Sequence, residues 1–377
     1  MNVPQHTKLE NIDGVVFRTV REMNDGRLIR YYDRKEGLRQ AIDARPKEDP
    51  ARIGELRLDP LLNEWVIYAE HRQHRAFLPP KNLCPLCPTR SDLLTEVPDD
   101  NYQVVVFDNK NPSLNQTSSD WELPTTLDLH TPSIAAVGKC EVICFSDEHE
   151  GNFGSLSLDR IGLVLSALKD RTEEISQLPN IVQVFPFENR GEEVGVTIHH
   201  PHGQIYSYSY LTPRTEKMLA VAQQYNKKTG RVLLEDVVAR EIKAGTRIVA
   251  QNDHWVAYVP YAARFPFEIH VSPRVSARDL TELSPSQMAS FPEIAKTVLL
   301  QLDGVFGVPM PYMAAWHQAP VTIGRDVLRL HWQVTSIRRT KDKLKYFAGS
   351  ESAMGAFVMD LSPEQVSAQL KAVPVVL

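Results

Sequence analysis

Thr197-Ile198-His199-His200-Pro201-His202-Gly203-Gln204 places three imidazoles within four residues. Val196 to Ile198 on one side and Ile205 to Tyr210 on the other are rich in β-branched and aromatic residues, so the stretch reads as two strand pieces flanking the histidines. Side chains alternate faces along a strand, which puts His200 and His202 on one side and His199 on the other. Pro201 fixes its own φ, pushes His200 into an extended conformation and removes a backbone donor, so the strand is an edge strand or an interrupted one. Gly203 is expected to let the backbone come close to a ligand. A shared imidazole face of this kind suits metal ligation, nucleophilic catalysis or both.

On either side of this segment the same order of elements recurs. In the first half, strand-like runs at Asn63 to Tyr68, Tyr102 to Phe107 and Glu141 to Phe145 precede a helix opened by Ser157, which Pro179-Asn180 stops, and a strand follows at Ile181 to Phe185. In the second half, strands at Trp255 to Val259 and Glu268 to Ser272 precede a helix with the capping box Ser284-Pro285-Ser286-Gln287. Strands at Tyr312 to Trp316 and Leu328 to Val334 come next. The last of these carries His331-Trp332-Gln333, an echo of His202-Gly203-Gln204. This repetition of strand, strand, helix, strand, strand predicts a duplicated α+β unit. Helices are predicted between the halves at Pro213 to Gln224 and Val232 to Lys243, and a last one from the capping box at Ser362. Residues 1–55 are Arg-rich with no clear apolar period and read as an N-terminal extension.

The chain has 377 residues, 42% of them hydrophobic and 24% charged, enough apolar content for a sizeable core and too much for extended disorder. Its 42 basic and 47 acidic residues give a net charge of −5, which offers no global attraction for nucleic acid and makes any anion site local. Apolar runs fall short of the ~20 residues needed to span a bilayer, and the N-terminus lacks a basic and then apolar leader, so a cytoplasmic location is expected. Cys84-Pro85-Leu86-Cys87 has the C-x₂-C spacing with which two thiolates reach one tetrahedral zinc, the alternative being a pair of buried thiols. Cys140 and Cys144 read as core packing.

His200-Pro201-His202-Gly203-Gln204-Ile205 resembles the H-P-H-G-Q motif of the galactose-1-phosphate uridylyltransferase family, the transferase branch of the histidine triad superfamily. Phe187-Glu188-Asn189-Arg190-Gly191, Pro260 to Ala263, Phe265 to Glu268, Trp316 to Pro320 and His331-Trp332-Gln333 resemble further family segments in family order, from about Leu56 to the C-terminus. The resemblance implies two tandem histidine-triad-like units with antiparallel sheets flanked by helices, at 56–212 and 213–377, after an extension at 1–55. It implies transfer of UMP from UDP-glucose to galactose 1-phosphate through a uridylyl intermediate on His202, with Gln204 donating its amide to the phosphate oxygens. A neutral imidazole is a good nucleophile toward phosphorus, and the cationic phospho-imidazole is a good leaving group. Hydrolases of the superfamily place a third histidine where Gln204 stands. An amide cannot shuttle a proton, and transfer between two phosphate anions needs none, so transfer is favoured over hydrolysis.

The resemblance also carries over contacts. Arg72 and Arg75 match family arginines on the nucleotide phosphates, a role suited to their planar forks. Asn109 matches a uridine contact and Asn189 one near the reacting phosphate. Cys84, Cys87, His149 and His200 match a structural zinc site whose closure would orient His202. Of the family's second metal site only His317 is retained: its H-x-H pair aligns with Thr335 and Ile337, and its glutamate falls near Leu219, with Glu216 the closest carboxylate. That second site is expected to be empty. Lys345 and Glu351 match residues that grip the hexose phosphate and hydroxyls, in the family from the other subunit of a homodimer, while Ser350 stands where the family has tyrosine. UDP-glucose, UDP-galactose and hexose 1-phosphates are the expected partners. Competing readings are a nucleotidyl transferase or phosphorylase with another nucleotide or acceptor, and a non-catalytic zinc-stabilised nucleotide-binding module.

Overall fold

The structure is a computed structural model that describes residues 7–12, 14–47, 53–74, 77–116 and 133–377. Its N-terminal third holds strands β1 (Lys8–Asn11), β2 (Phe17–Glu22), β3 (Leu28–Asp33), β4 (Glu55–Asp59), β5 (Glu64–Tyr68), β6 (Val104–Asp108), β7 (Ser133–Ala135) and β8 (Gly138–Cys144). Helix α1 (Leu158–Ser176) leads to β9 (Gln183–Arg190) and β10 (His202–Tyr208), and helices α2 (Pro213–Thr229) and α3 (Leu233–Ala244) follow. Next come β11 (Ile248–Gln251), β12 (Trp255–Tyr258), β13 (Phe267–Pro273), helix α4 (Pro285–Phe306), β14 (Tyr312–His317) and β15 (His331–Ser336). The chain finishes with β16 (Arg338–Thr340), β17 (Lys343–Leu344), α5 (Gly349–Met354) and α6 (Pro363–Lys371).

Twelve of these strands form one antiparallel sheet in the order β1-β2-β3-β6-β8-β10-β9-β14-β15-β13-β12-β11. The order β6-β8-β10-β9 is repeated in reverse as β14-β15-β13-β12, and the two halves join where Tyr312 to Ala315 pair with Arg190 to Phe187. Helices α1 and α4 occupy the same place in each half, between the second and third strands in chain order. The duplicated α+β unit predicted from the repeated element order is therefore present, with the halves fused edge to edge into a continuous sheet.

Both helices start as their sequences dictate. The Ser157 side chain accepts a hydrogen bond from the Arg160 amide, and Ser284 and Gln287 exchange the two bonds of a capping box. Each helix lays its apolar stripe on the same side of the sheet. Ile161, Val164, Leu165 and Leu168 of α1 and Phe291, Ile294, Val298 and Leu302 of α4 bury there with Trp255, Trp316 and Trp332 in the main core. This leaves the other face of the central strands for function.

Strands β1, β2 and β3, within the segment expected as an extension, instead continue the sheet, because β3 pairs with β6 from Ile29↔Phe107 to Tyr32↔Val104. The arginines that hid this in the sequence are neutralised by distant acids. Arg30 and Arg171 are buried with Glu141; the Arg171 fork holds both Glu141 oxygens at 2.8 and 2.9 Å, and Arg30 and Arg18 reach Glu174 and Asp170 on α1 at 3.1 and 2.8 Å. The expected strand at Val196 to Ile198 is irregular backbone instead, since Pro201 cuts the run before β10 begins.

Candidate active site

His202 is the first residue of β10, held between Cys144 of β8 and the end of β9. Its Nδ1 lies 2.7 Å from the carbonyl oxygen of His200. Nδ1–H donates to that carbonyl, which fixes the tautomer and leaves the Nε2 lone pair for chemistry. Burial holds the ring below its usual pKa, against the hydrogen bond to His200, so it is neutral at physiological pH. The ring borders a cavity of about 540 Å³ together with His199, Gly191, Arg190, Asn189 and Lys81. Gln204, two residues on, shares the face of His202 and has no side-chain hydrogen bond to another described residue. Gly203 points the opposite way. A Cβ there would meet the Phe187 carbonyl at 2.8 Å and the Phe145 ring at 3.0 Å, so the glycine serves strand packing, not the ligand approach expected from sequence.

Cys84, Cys87, His149 and His200 gather their ligand atoms within 4.8 Å of one another. Cys87 Sγ lies 3.4 Å from His149 Nδ1 and 3.5 Å from His200 Nδ1. A tetrahedral zinc with its usual bond lengths would separate sulfur and nitrogen ligands by about 3.6 Å, so the donor set fits a closed Cys₂His₂ metal site. Burial and the neighbouring Cys84 push the Cys87 thiol up to about 12; two thiolates here require a cation. The outer shell is in place as well. His200 Nε2 is 2.7 Å from the Ser146 carbonyl and 2.8 Å from the Tyr102 hydroxyl, so Nδ1 is the ring atom offered to a metal. His200 thereby links the cluster to the His202 face: its ring belongs to the Cys/His cluster and its carbonyl orients His202.

The other expected contacts fall in three places. Asn189 borders the His202 cavity. Arg72 and Asn109 meet at one loop, where Arg72 Nη1 donates to the Asn111 carbonyl at 2.9 Å and Asn109 Oδ1 accepts from the Asn111 amide at 2.8 Å; neither borders that cavity. Arg75 lies outside the described residues. Lys345 Nζ pairs with Glu351 Oε1 at 2.9 Å beyond β17, and neither lines the His202 cavity. Sequence reasoning gave no role to Glu188, which borders the cavity but pairs with Gly203 and so turns its side chain to the core face, away from His202. It is buried, receives the Tyr312 hydroxyl at 2.9 Å, and burial raises its carboxyl to about 8 against Tyr312 and Arg190, so it is largely protonated at neutral pH. A carboxylate inside Phe187-Glu188-Asn189 gave no signal, because its partner is 124 residues away.

The first half matches the galactose-1-phosphate uridyl transferase N-terminal domain over residues 46–212, and the second half matches the C-terminal domain over 218–376. A galactose-1-phosphate uridylyltransferase of Streptomyces lividans is 41% identical over 324 residues, 83% of this chain and 86% of that one. One from Thermotoga maritima is 32% identical, covering 84% of this chain and 98% of the relative. The chain belongs to the galactose-1-phosphate uridylyltransferase family. A solved uridylyltransferase structure superposes with a TM-score of 0.76 at 31% identity, over 84% of this chain and 98% of that chain.

His317 stands at the end of β14, and Thr335 and Ile337, aligned from sequence with the H-x-H pair, offer no imidazole to it. The register pairs His317 with His331, their rings stacked at 5.0 Å, and Gln333 Oε1 lies 2.8 Å from His317 Nε2. Thr335 instead donates to the Met313 carbonyl at 3.3 Å, and Ile337 is buried as an apolar residue beyond β15. Glu216 is exposed on α2. Among the described residues, the Cys/His cluster at His200 is the one whose ligand atoms converge. No helix among them is long and apolar enough to cross a membrane.

Proposed function

We propose that this uridylyltransferase-family chain moves UMP from UDP-glucose to galactose 1-phosphate by double displacement at His202. Nε2 attacks the α-phosphorus; the P–N bond forms, the bond to the bridging oxygen breaks, and glucose 1-phosphate leaves with that electron pair. A phosphate oxygen of galactose 1-phosphate then attacks the same phosphorus, releasing His202 and forming UDP-galactose. No proton changes hands, since both leaving groups and the acceptor are phosphate anions. The observation that carries this reading is the 2.7 Å contact from His202 Nδ1 to the His200 carbonyl, which fixes the tautomer with Nε2 free on a ring that burial keeps neutral. Gln204 supplies a non-titrating donor for the phosphate oxygens as charge builds.

In this reading Cys84, Cys87, His149 and His200 hold one structural zinc that anchors the start of β10. Arg72, Arg75 and Asn109 bind the nucleotide, and Asn189 the reacting phosphate. Lys345 and Glu351, which do not line the His202 cavity of their own chain, serve the active site of a second copy in a cytoplasmic homodimer, a role supported by the family resemblance. Incubation with UDP-glucose radiolabelled in the uridylyl phosphate should leave label on the protein, and His202→Gly should not label. Absence of a covalent adduct on the native protein would refute the mechanism. Release of label by inorganic phosphate but not by galactose 1-phosphate would replace the transferase by a phosphorylase.

A further inference from the structure

The sheet order puts β15 where β10 stands in the other half: β10 lies between β8 and β9, β15 between β13 and β14. His331 is the first residue of β15 and Gln333 the third, as His202 and Gln204 are of β10. Gln204 is flanked by Val142 and Phe187, and Gln333 by His270 and Ala315. On this face the second half has a roof that α2 and α3 provide. Beneath it lies a cleft of about 370 Å³ whose walls include Met218, Leu234, Val237 and Tyr258 and whose floor includes His270 and His331.

The charges of this cleft do not balance within the chain. Arg214, Lys217 and Arg264 line it, all three exposed to the cleft or its rim. Arg214 donates to the Gln333 amide oxygen at 2.8 Å, and Arg264 lies over the Phe357 ring at 5.4 Å. None of the three forms an ion pair with a described residue. The lining carboxylate, Glu268, is already engaged by His270 Nε2 at 3.0 Å, Gln333 Nε2 at 2.6 Å and the Arg264 amide at 2.6 Å. His331 Nδ1 is buried without a hydrogen-bond partner, so the polar floor is not saturated internally. Three cations against one lining carboxylate that is already engaged, around an apolar-walled cleft, call for an anion that carries an apolar group. The volume is at the small end of ligand sites, roughly 300–1,000 Å³, which selects a mononucleotide over a nucleotide sugar and the smaller base over the larger.

We infer that this cleft is a second ligand site that binds a pyrimidine nucleoside monophosphate, its phosphate among Arg214, Lys217 and Arg264 and its base against Met218, Leu234 and Tyr258. The inference does not rest on chemistry at His202, and the test is subtractive. Equilibrium dialysis of the full chain with radiolabelled UMP gives the equivalents bound, whether or not the His202 cavity also takes UMP. Lys217→Ala and Arg264→Ala, each removing a side chain exposed at the rim, should weaken one class of UMP site about tenfold, the worth of one charge-assisted hydrogen bond. Met218→Trp, which fills the apolar wall, should remove one equivalent outright while labelling by UDP-glucose is unchanged. If all three variants bind the same equivalents with the native affinity, the site does not exist. Inorganic phosphate competing at that site as tightly as UMP would overturn the nucleoside part of the assignment. Loss of labelling in the native protein with the subtractive result intact would refute the transfer reading alone.

Discussion

Glu188→Gln separates a buried acid from its charge. Gln keeps the size and the oxygen that accepts from Tyr312 but cannot ionise. In the folded chain, burial moves the Glu188 carboxyl from 4.5 to about 8, and unfolding returns it to the ordinary value. Because the folded pKa is the higher one, the native state binds more protons. The stability this group contributes is full below about pH 4.5 and is lost as pH rises toward 8. At about 1.36 kcal/mol for each pH unit of that window, native Glu188 forfeits roughly 5 kcal/mol across it, and the glutamine forfeits none. Urea unfolding of both proteins at pH 4.5, 6 and 8.5 measures this. All other groups titrate alike in the two, so the difference between the stability curves isolates position 188. It should widen in favour of the glutamine by several kcal/mol from the lowest pH to the highest. Stability curves that stay parallel within about 1 kcal/mol would show that the carboxyl is not desolvated, and the reasoning would fail.

Elemental analysis should find about one zinc per chain, and Cys87→Ser should lose it together with most labelling at His202, because His200 would no longer be pinned; two tightly held metals would contradict the reading of the His317 surroundings. Arg171→Met should cost about 3–5 kcal/mol, since it leaves Glu141 buried with its bidentate partner gone, and a cost under 1 kcal/mol would mean the N-terminal ion network is dispensable. Because burial depresses the His202 pKa, the single-turnover labelling rate should hold as pH falls through 6.5 and decline only below that; a midpoint above the ordinary histidine value would contradict a desolvated ring.

Local chemistry made much of this protein legible in the sequence. Ser157, Ser284 and Ser362 cap the helices expected of them because a cap is decided within four residues. The duplicated order of elements and the C-x₂-C and H-P-H segments were equally plain, since their spacing alone limits what they can hold. What the sequence could not decide was non-local. The Arg-rich start of the chain reads as solvated until its strands find β6 and its guanidiniums find Glu141, Glu174 and Asp170, more than a hundred residues away. Strand register placed His331 opposite His317. Burial between the sheet and helices α1 and α4 turned Glu188 from an ordinary acid into a neutral one. Backbone propensity acts between neighbours in the chain and can be read in order. Register, ion pairing and desolvation depend on which distant segments meet, and only the folded chain determines that.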